Sequence, residues 1–272
     1  MTLSRGARIG LRIFMLVGLA FIYIPLLVVV VSSFNTSKIF GWPPDGFTTK
    51  WWGLAAQNEG VRVALGTSLK AGVGATVIAL VLGTMISLAL QRYTFFGRDS
   101  ISFLVILPIA LPGIVTGIAL NTAIRTVFEP LGIGFGLLTV IIGHSTFCIV
   151  VVFNNVIARL RRVSGNLEEA SMDLGGSTFQ TFRFVTFPAL RSALIAGALL
   201  AFGLSFDEIV VTTFTAGPGV QTLPLWIFDN LFRPNQAPVV NVVAAFLVVV
   251  SVIPIWASQR LAAPEGASVR MP

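Results

Sequence analysis

The chain has 272 residues, of which 55% are hydrophobic and 11% charged, with a net charge of +7 and a mean hydropathy of +0.90. About a quarter of the residues of a soluble domain are charged, so water is excluded as the solvent for most of this chain. The basic residues are dispersed between apolar runs, which argues against a nucleic-acid partner and for membrane loops.

About 20 apolar residues cross the hydrocarbon layer as a helix, and spans must be helices or closed barrels because lipid satisfies no backbone N–H or C=O. The apolar runs here are continuous, without the alternation of barrel strands. The expected class is an all-α membrane protein. The first run, Ile13–Val31, follows Arg5, Arg8 and Arg12. It is too long for a cleaved signal and no small-x-small site follows, so it reads as a first span behind a cytoplasmic N-terminus, 1–12. Trp42, Trp51 and Trp52 follow, and their amphipathic rings suit a membrane–water boundary. Further spans are expected at Leu69–Leu90, Ile101–Ala123, Leu137–Ile157, Ala193–Phe214 and Val239–Trp256, six in all within a domain 13–260, before a cytoplasmic tail, 261–272.

Pro108 and Pro112 fall four residues apart on one face of the third span, and Pro254 falls in the sixth. They read either as ordinary bends or as kinks in helices that line a changing pathway. With the N-terminus inside, twelve Lys and Arg flank the inner ends of the spans and six the outer ends, which places both termini in the cytoplasm. In the fourth span, His144 and Ser145 do not read as a base and nucleophile, because helix neighbours diverge and no orienting acid is evident. No catalytic residue is expected, and His144 reads as a buried hydrogen-bonding group. Cys148 has no partner thiol and no metal-ligand cluster around it, so no metal site is expected and it reads as a packing residue. Asn121, Asn154 and Asn155 either line a path or bond between helices.

The segment 159–191 between the fourth and fifth spans carries the most information. Asn166 stands three residues before Glu169, and Ser177 three before Gln180, both at capping-box spacing. Gly175 and Gly176 are expected to end a first short helix, and Pro188 a second. Leu167, Leu174, Phe179, Phe182, Phe184 and Phe187 imply a docking surface or burial against the spans, with a self-packed loop as the alternative.

Glu169, Ala170, Ser171, Gly175, Val185, Phe187 and Pro188 fall at the spacing of a known pattern: E-A-A, then G, then I-x-L-P. Ser171 replaces the second Ala, Val185 the Ile and Phe187 the Leu. The segment resembles the EAA loop of binding-protein-dependent ABC importer permeases, and the likeness extends over nearly the whole chain. The resemblance implies a type I ABC importer permease fold of six transmembrane helices in the bacterial inner membrane. It further implies that Leu167–Leu174 is a coupling helix seated on a separate ATPase, with Glu168, Glu169, Ala170, Ser171 and Asp173 on it, Gly175 at its exit and Pro188 beyond. The implied partners are a second permease, either a related chain or another copy of this one, together with two ATP-binding subunits, an extracytoplasmic solute-binding protein and membrane lipid. No G-x-x-x-x-G-K-[ST] phosphate loop occurs in the chain, so the chain is expected to be no enzyme and to carry no cofactor, ATP and Mg being bound by the partner.

In the fifth span, Ser205, Phe206, Asp207 and Glu208 precede TAGPGVQTLPLWIF. This block resembles the second permease of spermidine/putrescine importers, which implies a polyamine substrate. Independently, charges inside a span face a cavity or a partner, and Asp207 and Glu208 have no nearby Lys or Arg in sequence. They are expected about 100° apart on one helix, as a candidate substrate path with Ser205. The competing reading is a pair merely hydrated near the outer end, since 16 residues from Arg191 span about 24 Å. Another small organic cation, an amino-acid derivative or an anion is the alternative substrate. A stand-alone secondary transporter is the alternative class, although internal repeats are not evident.

Overall fold

The computed structural model describes residues 4–39, 41–233 and 236–262, and these residues are almost entirely helical. The far end of the expected tail, 263–272, lies outside the described residues. The chain divides into two compact units, Met1–Arg62 with Trp226–Val250 and Val63–Leu225 with Ser251–Pro272.

In the first unit, α1 (Arg5–Ser32) opens with Ser4, whose hydroxyl accepts the Ala7 N–H. Its flank is apolar and exposed for most of its length, Phe14 and Phe21 at 80% and 82%. Such a surface is stable where hydrocarbon is the solvent. The following turn is tied at Asn35. Its side-chain oxygen accepts the Ser37 and Asp45 N–H groups, and its carbonyl accepts from Trp51 Nε1 at 2.9 Å. Trp51 belongs to α2 (Lys50–Gln57), and the neighbouring Trp52 stacks on Phe34. Here α3 (Glu59–Arg92) also begins, and most of α11 (Leu223–Asn230) and of α12 (Ala237–Ala262) lies here.

In the second unit, α6 (Leu137–Leu160) is the helix with the most buried side chains. It packs against α9 (Phe187–Phe206), with Val152, Val156, Leu160, Leu190 and Ala201 in one cluster. The Cys148 thiol reaches the Ala201 carbonyl at 3.3 Å, so this cysteine is an inter-helix packing group. On the other side, α3 comes so close to α6 that a Cβ on Gly83 would sit 3.0 Å from the Ile149 carbonyl oxygen and 3.1 Å from Val152. One turn on, Ser87 Oγ lies 2.7 Å from Gly83 O and 3.2 Å from Phe153 O. Small residues permit the approach that dispersion and hydrogen bonds then hold, which is how helices associate without a hydrophobic drive.

Two expected spans are built differently from the straight helices anticipated. The third is broken: α4 (Arg98–Ala110) meets the stretch Gly113–Leu131, which opens with α5 (Gly113–Ala123), at 107°. Proline disfavours helical backbone in the residue before it, and Leu111 before Pro112 is extended (φ −82°, ψ 145°). Pro112 therefore caps α5 while Pro108 stays inside α4, and the two do not share one helical face.

The fifth expected span starts earlier and stops sooner, as one helix over Thr178–Phe206. It comprises α8 (Thr178–Thr181), a π turn at Phe182–Thr186, and α9. Pro188 ends nothing. It sits in the first turn of α9, where the wider winding just before it accommodates a ring with no N–H. The helix breaks after Phe206, and α10 (Val210–Thr215) starts after a gap of three residues. Among the described residues, five helices are long and apolar enough to cross a membrane, or six when the bent pair is counted as one span.

Replacing Gly83 by Leu would drive a branched side chain into the α6 backbone. Overpacking of this kind costs about 1–3 kcal/mol, and the expected result is a lower thermal unfolding midpoint of the detergent-purified protein, with Gly83→Ala intermediate.

Candidate functional site

After α6, Arg159 Nε donates to the Ala189 carbonyl at 2.9 Å and closes the base of the segment 159–191. The short helix α7 (Asn166–Asp173) has Gly165 at its N-cap, so Asn166 is already inside the helix. The expected Asn166–Glu169 capping box is therefore not formed. Ser164 Oγ takes the Asn166 N–H instead, and Glu169 is left exposed. The second box is formed: Ser177 Oγ accepts from Gln180 N at 3.4 Å, and Gln180 Oε1 accepts from Ser177 N at 2.8 Å. Gly175 turns the chain out of α7 at φ +85°, a conformation in which side chains other than glycine are strained. The Gly175 and Gly176 N–H groups bond back to Met172 and Ser171, as in a glycine-ended helix.

The two adjacent glutamates of α7 have different surroundings. Glu168 is mostly covered. Its Oε1 accepts from Arg92 Nη2 at 3.1 Å and from Thr186 Oγ1 at 2.9 Å, and its Oε2 lies 3.0 Å from Arg92 Nε. Ser171, at the position of the pattern's second alanine, is bonded through its hydroxyl to Thr181 Oγ1 at 2.9 Å. Ala170, Asp173 and Pro188 are exposed. So are Leu167 (56%), Leu174 (90%), Phe179 and Phe184 (both 69%). A loop packed on itself would hide such groups, and these are left open for something else to cover.

The acidic pair lies in the break between α9 and α10, and not 100° apart on one helix. Asp207 ends α9 and is exposed. Glu208 is half-buried, and its Oε1 accepts the Val211 N–H at 2.8 Å, capping α10. Ser205 is buried. It bonds to His144 Nδ1 at 2.7 Å, His144 Nε2 bonds to Thr212 Oγ1 at 2.8 Å, and the Thr212 hydroxyl donates to Glu208 O at 2.9 Å. The His144 imidazole thus ties both sides of the break to α6. Asn121 bonds between helices, its Nδ2 donating to Phe214 O at 2.6 Å, while Asn155 Nδ2 bonds within its own helix. Among the described residues there is no group of three or more His, Cys, Asp or Glu placed to hold a metal ion.

Sequence reading singled out Glu168, Ser205 and His144 but not what they bind. Arg92 figures in the sequence only as one of the twelve basic residues at the inner span ends; 76 residues separate it from Glu168, and no local spacing signals the pair.

Residues 75–264, well over half of the chain, match the family of the binding-protein-dependent transport system inner membrane component. The chain belongs to that family. The permease is 36% identical over 243 residues to the spermidine/putrescine transport system permease protein PotC of Escherichia coli K12, covering 89% of this chain and 90% of the relative. It is 34% identical over 239 residues to the putrescine transport system permease protein PotI of the same strain, covering 86% and 84%. Its fold matches a chain from the crystal structure of a bacterial ABC transporter involved in the import of alginate, an acidic polysaccharide. The TM-score is 0.70 at 16% identity, over 96% of this chain and 99% of that one. The permease is therefore a multi-pass, all-α inner-membrane protein with the fold of an ABC importer's membrane subunit.

His144→Ala would leave the buried Ser205 hydroxyl without its imidazole partner, while the Thr212 hydroxyl would lose the Nε2 contact and keep its bond to the Glu208 carbonyl. Each unsatisfied group costs about 1–3 kcal/mol. The expected outcome is a clear fall in the thermal midpoint of the purified permease, with His144→Gln less affected because its amide offers both a donor and an acceptor.

Proposed function

We propose that this permease forms half of the translocation path of an ATP-driven importer that carries a polyamine inward. In this reading a second permease forms the other half, and two separate ATP-binding subunits bind nucleotide and Mg. An extracytoplasmic binding protein delivers the solute. Both termini and the segment 159–191 face the cytoplasm, as the Lys and Arg distribution favours.

The observation that carries the coupling role is the exposure of Leu167, Leu174, Phe179 and Phe184 around a short helix with the EAA spacing. The exit turn at Gly175 and the covered Glu168 keep α7 in a defined orientation, while Glu169 remains available to a partner. The chain has no phosphate-loop motif of its own, so in this reading closure of the ATPase supplies the work and α7 receives it.

The polyamine assignment draws on the two Escherichia coli relatives, named for putrescine and for spermidine/putrescine transport, and on the carboxylates at Asp207 and Glu208. A charge at membrane depth costs about 3 kcal/mol on insertion scales. Among the described ion pairs neither carboxylate has a basic partner. A passing diammonium cation would supply the missing charge to each in turn, favouring entry without holding the solute permanently.

Two experiments test these roles. Glu169→Lys and Gly175→Asp are each expected to abolish copurification of the ATP-binding subunit while the permease still inserts; retained copurification in both would remove α7 from the dock. For the path, Glu208→Gln keeps the side-chain oxygen that caps Val211 and removes only the charge, and Asp207→Asn does the same at an exposed site. Each is expected to lower labelled putrescine uptake by about tenfold, the equivalent of about 1.4 kcal/mol. Unchanged uptake in both variants would take the carboxylates out of the path.

A further inference from the structure

The contact between Arg92 and Glu168 joins two parts of the permease whose roles differ. Glu168 sits in the first turn of α7, a helix with no buried residue of its own. Arg92 is the last residue of α3, where a cation also complements the helix dipole. Their side chains are 19% and 15% exposed. Arg92 Nη2 donates to one carboxylate oxygen at 3.1 Å, while Nε lies 3.0 Å from the other without its N–H being aligned for a hydrogen bond.

The same carboxylate takes the hydroxyl of Thr186, the last residue of the π turn that leads into α9. Glu168 is thus a three-way joint between α7, α3 and α9. A second bond, Ser171 to Thr181, ties α7 to the α8–α9 side. On that side α7 has two polar ties, and towards α3 it has Arg92. A guanidinium is suited to such a joint because it stays charged and its donors lie in a rigid plane, so one bond and the charge attraction together resist separation of the pair.

We propose that Arg92 is a positioning residue of the coupling apparatus: it locks α7 to the end of α3, so that displacement of α7 is delivered to α3 together with α9. This rests on the reading of α7 as the element that docks the ATPase. Without the lock, α7 would still pull α9 through Thr181 and Thr186, but α3 would no longer follow.

The test uses spin labels on the whole complex of permease and ATP-binding subunits, so that no solute need be known. Labels are placed at Met85→Cys on α3 and Asn166→Cys on α7, both exposed positions. Cys148 is buried and remains in place. Distances are measured without nucleotide and with ATP trapped. With Arg92 intact the distance is expected to be the same in both states. With Arg92→Met it is expected to shift or broaden by several ångströms on trapping, and Arg92→Lys, which keeps the charge, is expected to restore part of the lock.

If the distance changes on trapping with Arg92 in place, or if Arg92→Met behaves as the parent does, the inference is overturned while the docking of α7 stands. Loss of ATPase copurification in Arg92→Met also overturns it, because the residue would then shape the dock and not transmit from it. Should Arg92→Met fail to fold, Glu168→Gln breaks the same pair from the other side and is read in the same way. Failure of the ATPase to copurify with the parent permease is a separate result. It removes the docking role itself, and this inference with it.

Discussion

Hydrocarbon forms no hydrogen bonds, so every interruption of a helix in this permease has to find partners within the protein. The interruptions are where its polar side chains are gathered. At the break after Phe206, Glu208 caps α10 and the chain Ser205–His144–Thr212 reaches the Glu208 carbonyl. Downstream of the bend at Leu111–Pro112, Asn121 reaches the Phe214 carbonyl at the end of α10. These side chains do for the backbone what water does at the surface of a soluble protein. The irregular geometry is affordable only because they are there.

The segment 159–191 follows the opposite logic. Its polar groups are used to present apolar ones. The Ser177–Gln180 box, the Ser171–Thr181 bond and the Glu168 joint fix the backbone, while Leu174 and Phe179 remain uncovered. A rigid frame around exposed side chains lowers the entropy lost when a partner covers them. It also means that force applied to those side chains reaches the helices instead of being absorbed by a compliant loop.

Much of this was legible in the sequence because it is encoded locally. The apolar runs located the long helices, the Ser177–Gln180 spacing gave its capping box, and Gly175 gave its turn. The failures have identifiable causes. Hydropathy does not register a backbone break, so α4 and α5 read as one helix and the fifth span was carried past Phe206 to Phe214. Pro188 read as a terminator because the π turn ahead of it leaves no mark in composition. Asn166 had the right spacing for a cap, but the helix began one residue earlier, at a turn already served by Ser164. The pairing of Arg92 with Glu168 and the clamp around His144 depend on tertiary approach across 60 residues or more, and single-sequence spacing carries no information about them.

The π turn at Phe182–Thr186 holds one residue more than regular winding would need. Each residue of an α-helix advances the azimuth by about 100°. The heading of α7 and α8 around the axis of the long helix Thr178–Phe206 is therefore set by how many residues lie in that turn. Adding or removing a residue in the regular winding beside it would swing the presenting surface through more than a quarter of a circle and draw Thr186 away from Glu168. Between Ser177 and Pro188, chain length is thus a stricter requirement than the identity of most side chains.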